Sequence, residues 1–134
     1  MAITAGITLT SAAGDLVTDA LVLSTSTTLT KAGSNTNALT QTSGLAIKTT
    51  ESASQYTLFD GDAYGNGSHK IYLKNMETTA ALYFTVEINS EQMGKLYPGD
   101  WAFFPWEANA DTNDIKIQPS TSASHTLEYM LFYE

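Results

Sequence analysis

Short runs of strictly alternating apolar and polar residues, separated by turn-forming residues, constrain this chain more than any other feature. Leu82, Phe84, Val86 and Ile88 fall on one side of an extended segment, and Tyr83, Thr85, Glu87 and Asn89 on the other. Ile71 and Leu73 alternate with Lys70, Tyr72 and Lys74, and Ile115 and Ile117 with Asp114, Lys116 and Gln118. Successive side chains of a strand point to opposite faces, so a period of two marks a strand with one face buried. Leu127, Tyr129, Leu131 and Tyr133 form a further alternating set, but Met130 and Phe132 make its other face apolar too. That strand is expected to be central in its sheet or covered at an interface. Between the runs lie Asp60-Gly61, Gly65-Asn66-Gly67, Pro98-Gly99-Asp100 and residues 109–113. Pro98-Gly99 fits the two central positions of a type II turn, the second of which needs a positive φ. No segment longer than two turns carries helical spacing. The pattern predicts an all-β protein of seven to nine short strands: a β-sandwich of jelly-roll type.

The 134 residues suit one domain, yet composition divides them. All 14 aromatic residues lie from Tyr56 onward, whereas the first 55 residues hold 20 of the 32 Ser and Thr. Thr, stiff at χ1, favours extended backbone. Ile3, Ile7, Leu9, Leu21, Leu23 and Leu29 recur at multiples of two, which distinguishes ordered strands from solvated coil. Residues 1–55 therefore read as a Ser/Thr-rich extended arm or edge strands, and 56–134 as the sandwich core. Without aromatic bulk the leading segment must lie on something else: the rest of the chain, a sister subunit or a partner.

Fourteen acidic residues against six lysines and no arginine give a net charge of −8. Phosphate neutralisation needs clustered cations, so nucleic acid is excluded as a direct partner. Anionic lipid is disfavoured for the same reason, and no apolar run is long enough to span a membrane. With no cysteine, thiolate chemistry and disulfides are absent. The first residues lack the basic and apolar regions of a secretory signal, so synthesis in a cytoplasm is expected.

Chemistry-bearing motifs are sparse. Asp60, Asp62 and Asn66 begin like a calcium loop, but Tyr64 stands where another oxygen ligand belongs and no closing Glu follows. A polar inter-strand loop is the simpler reading. Asp111, Asn113 and Asp114 form a second acidic turn with the same weakness. His69 and His125 have no metal-binding context, and the histidine–glutamate set of a metal-dependent cupin is missing. No nucleophile elbow occurs. No enzyme activity and no cofactor are expected.

Residues 97–106 are the densest apolar feature. Alternation sets Trp101 and Phe103 on one face and Phe104 and Trp106 on the other. Tyr97, Trp101, Phe104 and Trp106 are thus candidates for a subunit interface or an aromatic platform for a sugar ring, with burial of both faces inside the sandwich as the structural alternative.

The strand His69-Lys70-Ile71-Tyr72-Leu73-Lys74-Asn75, the run from Leu82 to Ile88, the turn Gly94-Lys95-Leu96-Tyr97-Pro98-Gly99-Asp100 and the closing run Leu127 to Glu134 together resemble the small jelly-roll capsid decoration (cement) proteins of tailed bacteriophages. The likeness covers residues 69–134 in detail and the leading arm in style. It implies a non-enzymatic virion structural protein, a homotrimer made in the host cytoplasm and seated on the capsid exterior against the major capsid protein. The rival expectation is a carbohydrate-binding or host-attachment module of a virion appendage.

Overall fold

A computed structural model describes residues 3–15, 18–29, 39, 41–65, 67–109 and 112–133. They fall into two compact units, Met1–Thr40 and Gln41–Glu134.

The first unit is an antiparallel ribbon of β1 (Thr4–Ser11) and β2 (Leu21–Thr28). Its register pairs Leu9 with Leu23 and Ser11 with Leu21. Beyond β2, the Leu29 amide donates to the Ile3 carbonyl at 2.8 Å, and the Leu39 amide to Leu29 at 3.2 Å. Leu29 and Leu39 are buried.

The second unit is a sandwich. One sheet joins β4 (Ala46–Thr50), β11 (His125–Tyr133), β6 (Gly67–Asn75) and β9 (Trp101–Ala108), with the short β3 (Gln41–Thr42) pairing with the far end of β11. The other runs β5 (Tyr56–Phe59), β10 (Ile115–Pro119), β7 (Phe84–Ile88) and β8 (Glu91–Leu96). Every pairing is antiparallel, and the partners nest: β4 with β11, β5 with β10, β6 with β9, β7 with β8. Such nesting is a long hairpin rolled up on itself, the jelly roll. Its tip is Asn89-Ser90, whose φ values of 50° and 66° are those of a two-residue type I′ turn.

The expected faces are the observed ones. Ile71, Leu73, Phe84, Ile115, Ile117, Leu127 and Leu131 are completely buried between the sheets. β11 is central, held by β6 on one side and by β3 and β4 on the other. The turn at Pro98-Gly99 forms as expected, with Gly99 at φ 83° and the Asp100 amide bonded to the Tyr97 carbonyl at 2.9 Å. Within residues 1–55, Thr4–Ser11 and Leu21–Thr28 form the ribbon, and Gln41–Thr42 and Ala46–Thr50 are strands that flank β11.

Candidate functional site

The aromatic segment of β9 splits between the two sides of its sheet. Ala102, Phe104, Trp106 and Ala108 point inward, Trp106 being only 2% exposed. Its ring lies 6.0 Å from Phe59, 5.8 Å from Tyr64 and 5.7 Å from His69, and its indole N–H donates to the Asn113 carbonyl at 2.7 Å. Phe104 packs against the same core. Of these two candidates for an interface or sugar platform, Trp106 is a core residue, its face taken up by rings of β5, β6 and the 61–64 turn, and Phe104 is partly buried against the same core. Trp101 stays 51% exposed on the outer face, and Tyr97 is 48% exposed in the turn before β9.

Cross-strand register extends the Trp101 side into a surface. One row across the sheet reads Ile47, Glu128, Lys74, Trp101, the next Met130, Tyr72, Phe103, and the next Thr42, Phe132, Lys70, Pro105. Phe103 and Phe132 meet edge-on at 6.3 Å, and Ile47 is 62% exposed. The charges within these rows are Glu128, Lys74 and Lys70. The Tyr72 hydroxyl donates to Glu128 Oε1 at 2.8 Å. Burial first, then that bond and the Glu128 charge, push the Tyr72 phenol up to about 12, so it stays a donor at any physiological pH. The outer face of the other sheet contrasts with it: the corresponding rows are Thr57, Lys116, Glu87 and Gln118, Thr85, Lys95. The rows of one outer face are polar throughout, whereas those of the other add Ile47, Met130, Trp101, Phe103 and Phe132 to a few polar and charged side chains. Exposed apolar faces of this kind mark contact sites.

A smaller aromatic group occupies the end of the sandwich. Tyr83 and Tyr97 lie 5.3 Å apart, with the Lys95 ammonium 4.7 Å above the Tyr83 ring. Buried Asn75 fixes this end: its amide group donates to the Leu82 and Leu96 carbonyls, each at 2.9 Å, and its oxygen accepts from the Glu77 amide at 3.0 Å. Sequence reasoning missed Tyr83, Lys95 and Asn75. Tyr83 was legible as an aromatic residue on the polar side of its run, whereas nothing local marks Asn75.

The suspected calcium loop has another use. Asp60 caps a 3-10 turn, Gly61–Tyr64, by accepting from the Asp62 amide at 3.0 Å. Asp114 Oδ1 accepts from the Gly61 amide at 3.0 Å, and its other oxygen faces Lys116 at 3.8 Å. Gly61 is obligatory here, since a Cβ would collide with the carbonyl oxygens of Asn109 and Thr112. Asn66 and Asp111 lie outside the described residues. Among those described, no three His, Asp or Glu side chains gather as a metal site would require.

The histidines sit at opposite ends of β11: His69 packs 6.2 Å from the Tyr133 ring, while His125 opens the strand. His125 Nε2 is 3.0 Å from Ser120 Oγ, and its Nδ1 is 2.6 Å from the Ala123 carbonyl, an arrangement like a nucleophile and its base. However, Ser120 Oγ also donates to the Ala81 carbonyl at 2.7 Å and accepts from the Tyr83 amide at 3.2 Å. A hydroxyl held by three partners serves as a clamp on the 81–83 loop. An apolar cleft of about 170 Å³ between β8 and β9, lined by Val86, Met93, Leu96, Ala102 and Phe104, is smaller than ordinary ligand pockets.

No family model and no curated protein sequence matches the chain. Among solved structures it is similar to a cupin-superfamily sugar phosphate isomerase of Silicibacter pomeroyi, at 18% identity and a TM-score of 0.46 over 71% of this chain and 52% of that one. The chain thus spans about half the length of that isomerase. It is also similar to the Yersinia pseudotuberculosis-derived mitogen, at 8% identity and a TM-score of 0.44 over 70% of this chain and 86% of that one.

Proposed function

We propose that this jelly-roll protein is a non-enzymatic virion structural protein, a capsid decoration protein that works by adhesion, as an external homotrimer bound to the major capsid protein. The observation that carries the reading is the aromatic outer face of the β4-β11-β6-β9 sheet, opposed to a polar outer face on the other sheet. A flat, half-buried surface with Trp101 at its edge suits a protein partner better than a small substrate, because aromatic side chains supply large contact area at low entropic cost. The charge of −8 agrees with a seat away from packaged DNA. Three-fold repetition multiplies a modest contact.

Immunolabelling and imaging of intact virions test this, together with the mass in solution. The expected result is label on the outer shell and a particle of three times the 14.4 kDa chain mass. Trp101→Glu with Phe103→Glu should abolish capsid attachment while leaving the fold intact. A soluble monomer that retains polysaccharide and loses it on Tyr97→Ala would overturn the reading in favour of a glycan-binding module, for which the Tyr83–Tyr97 pair is the platform.

A further inference from the structure

The β1–β2 ribbon is two-faced. Ala5, Ile7, Leu9, Leu21 and Leu23 share one side with Ser11, Thr25 and Thr27, whereas the other side is Thr4, Gly6, Thr8, Thr10, Ser24, Ser26 and Thr28 with Val22 alone among them. Leu9 and Leu23, directly paired, are 50% and 45% exposed. A two-stranded ribbon in water is marginal by itself, and an apolar face is what a third element covers. The ribbon's 16 residues include no charged side chain, in a chain whose net charge is −8.

That neutrality selects the partner. About a symmetry axis, identical residues of different copies come face to face, and like charges so placed repel. In a chain this acidic, a self-contact must run through an uncharged surface, and the ribbon supplies one with an apolar side. We infer that the apolar faces of the β1–β2 ribbons of different copies pack together around the oligomer axis, bringing Leu9 and Leu23 of each copy against their counterparts. Eight residues at a rise of ~3.4 Å make a strip ~27 Å long and two strands wide, only a few hundred Å² per copy. A lasting pair needs ~800 Å² per partner. The ribbon face therefore supplies only part of a lasting interface, and three-fold closure lets each ribbon meet two neighbours at once. The inference rests on the homotrimer of the proposed function but not on what that trimer binds.

The absence of cysteine makes the test clean. Leu9→Cys, oxidised in the full-length protein, should form an interchain disulfide that leaves one chain in three unlinked on a non-reducing gel. Thr10→Cys, on the opposite side of the same strand, should not. Leu9→Asp, which adds a negative charge per copy at the axis, should raise the dissociation constant of the assembly at least tenfold, with unchanged circular dichroism as the control for folding. Equal linking at both positions, or none in a protein that remains trimeric, overturns the ribbon contact and leaves the decoration role standing. A monomeric wild-type protein overturns both. A trimer linked through Leu9→Cys that is missing from virions supports the ribbon contact and sinks the decoration role alone.

Discussion

Asn75 is buried at the end of β6 with both ends of its side-chain amide bonded to main chain, in the 76–83 connection and at the end of β8. Asn75→Ala strands the buried Leu96 carbonyl and leaves the part-buried Leu82 carbonyl and Glu77 amide unbonded, and at ~1–3 kcal/mol for a buried group left unmade a loss of about 2–4 kcal/mol is expected in urea unfolding. The two tryptophans separate core from surface. Trp106→Ala removes a buried ring and a hydrogen bond and should cost ~3–5 kcal/mol, whereas Trp101→Ala should shift the unfolding midpoint by no more than ~0.5 kcal/mol equivalent; calorimetry of the pair checks this. Tyr72 adds a pH signature. Its phenol is pushed up to about 12 in the folded protein from an ordinary value of 10. Between those values the unfolded chain has lost the proton and the folded one keeps it, so the contribution is complete below pH 10 and disappears as pH rises through 12. Denaturation at a series of alkaline pH values should show a smaller loss for Tyr72→Phe than for the wild type.

Among the elements, the β7–β8 hairpin matters most for how the roll closes, since all the nested pairs follow from it. Its tip places two residues with side chains in the left-handed region, Asn89 at φ 50° and Ser90 at φ 66°. Asn tolerates that conformation, but Ser pays a steric cost that Gly does not. Ser90→Gly should therefore stabilise the protein by about 0.5–1 kcal/mol despite the greater freedom of Gly in the unfolded chain, and should speed folding if the hairpin forms early. Stopped-flow kinetics together with equilibrium unfolding measures both effects. β11 gives the complementary lesson. Its central position explains why Leu127 and Leu131 vanish into the core while Met130 and Phe132, on the opposite side, become surface without becoming polar.

Across the whole molecule, charge and stickiness are segregated. Acidic residues dominate the total, while the ribbon is uncharged and the aromatic sheet face carries only a few charges, Glu128 among them bonded to Tyr72. Association through such surfaces is opposed by the long-range repulsion of copies bearing −8 each. Raising salt from about 0.05 to 0.5 M shortens the screening length and should tighten self-association by roughly threefold or more. An interface built on ion pairs would loosen instead. Sedimentation velocity at the two salt concentrations distinguishes these outcomes.

The sequence by itself determined that these runs are strands and, where one side is polar, as in β6, β7 and β10, which residues are inside, because a period of two is a local property. It also determined the Pro98-Gly99 turn, whose φ requirement is written in two adjacent residues. It located aromatic mass in residues 97–106 but not the direction in which each ring points, since alternation assigns sides without saying which is the interior. That choice fell to tertiary structure: Phe59, Tyr64 and His69 surround Trp106 and make its face the core. The aromatic outer face was equally hidden. Ile47, Tyr72, Trp101, Phe103 and Phe132 become neighbours only because β4, β11, β6 and β9 pair in register, joining positions as distant along the chain as Ala46 and Tyr129. Alternation is enforced residue by residue, whereas pairing is settled by the closure of the whole roll.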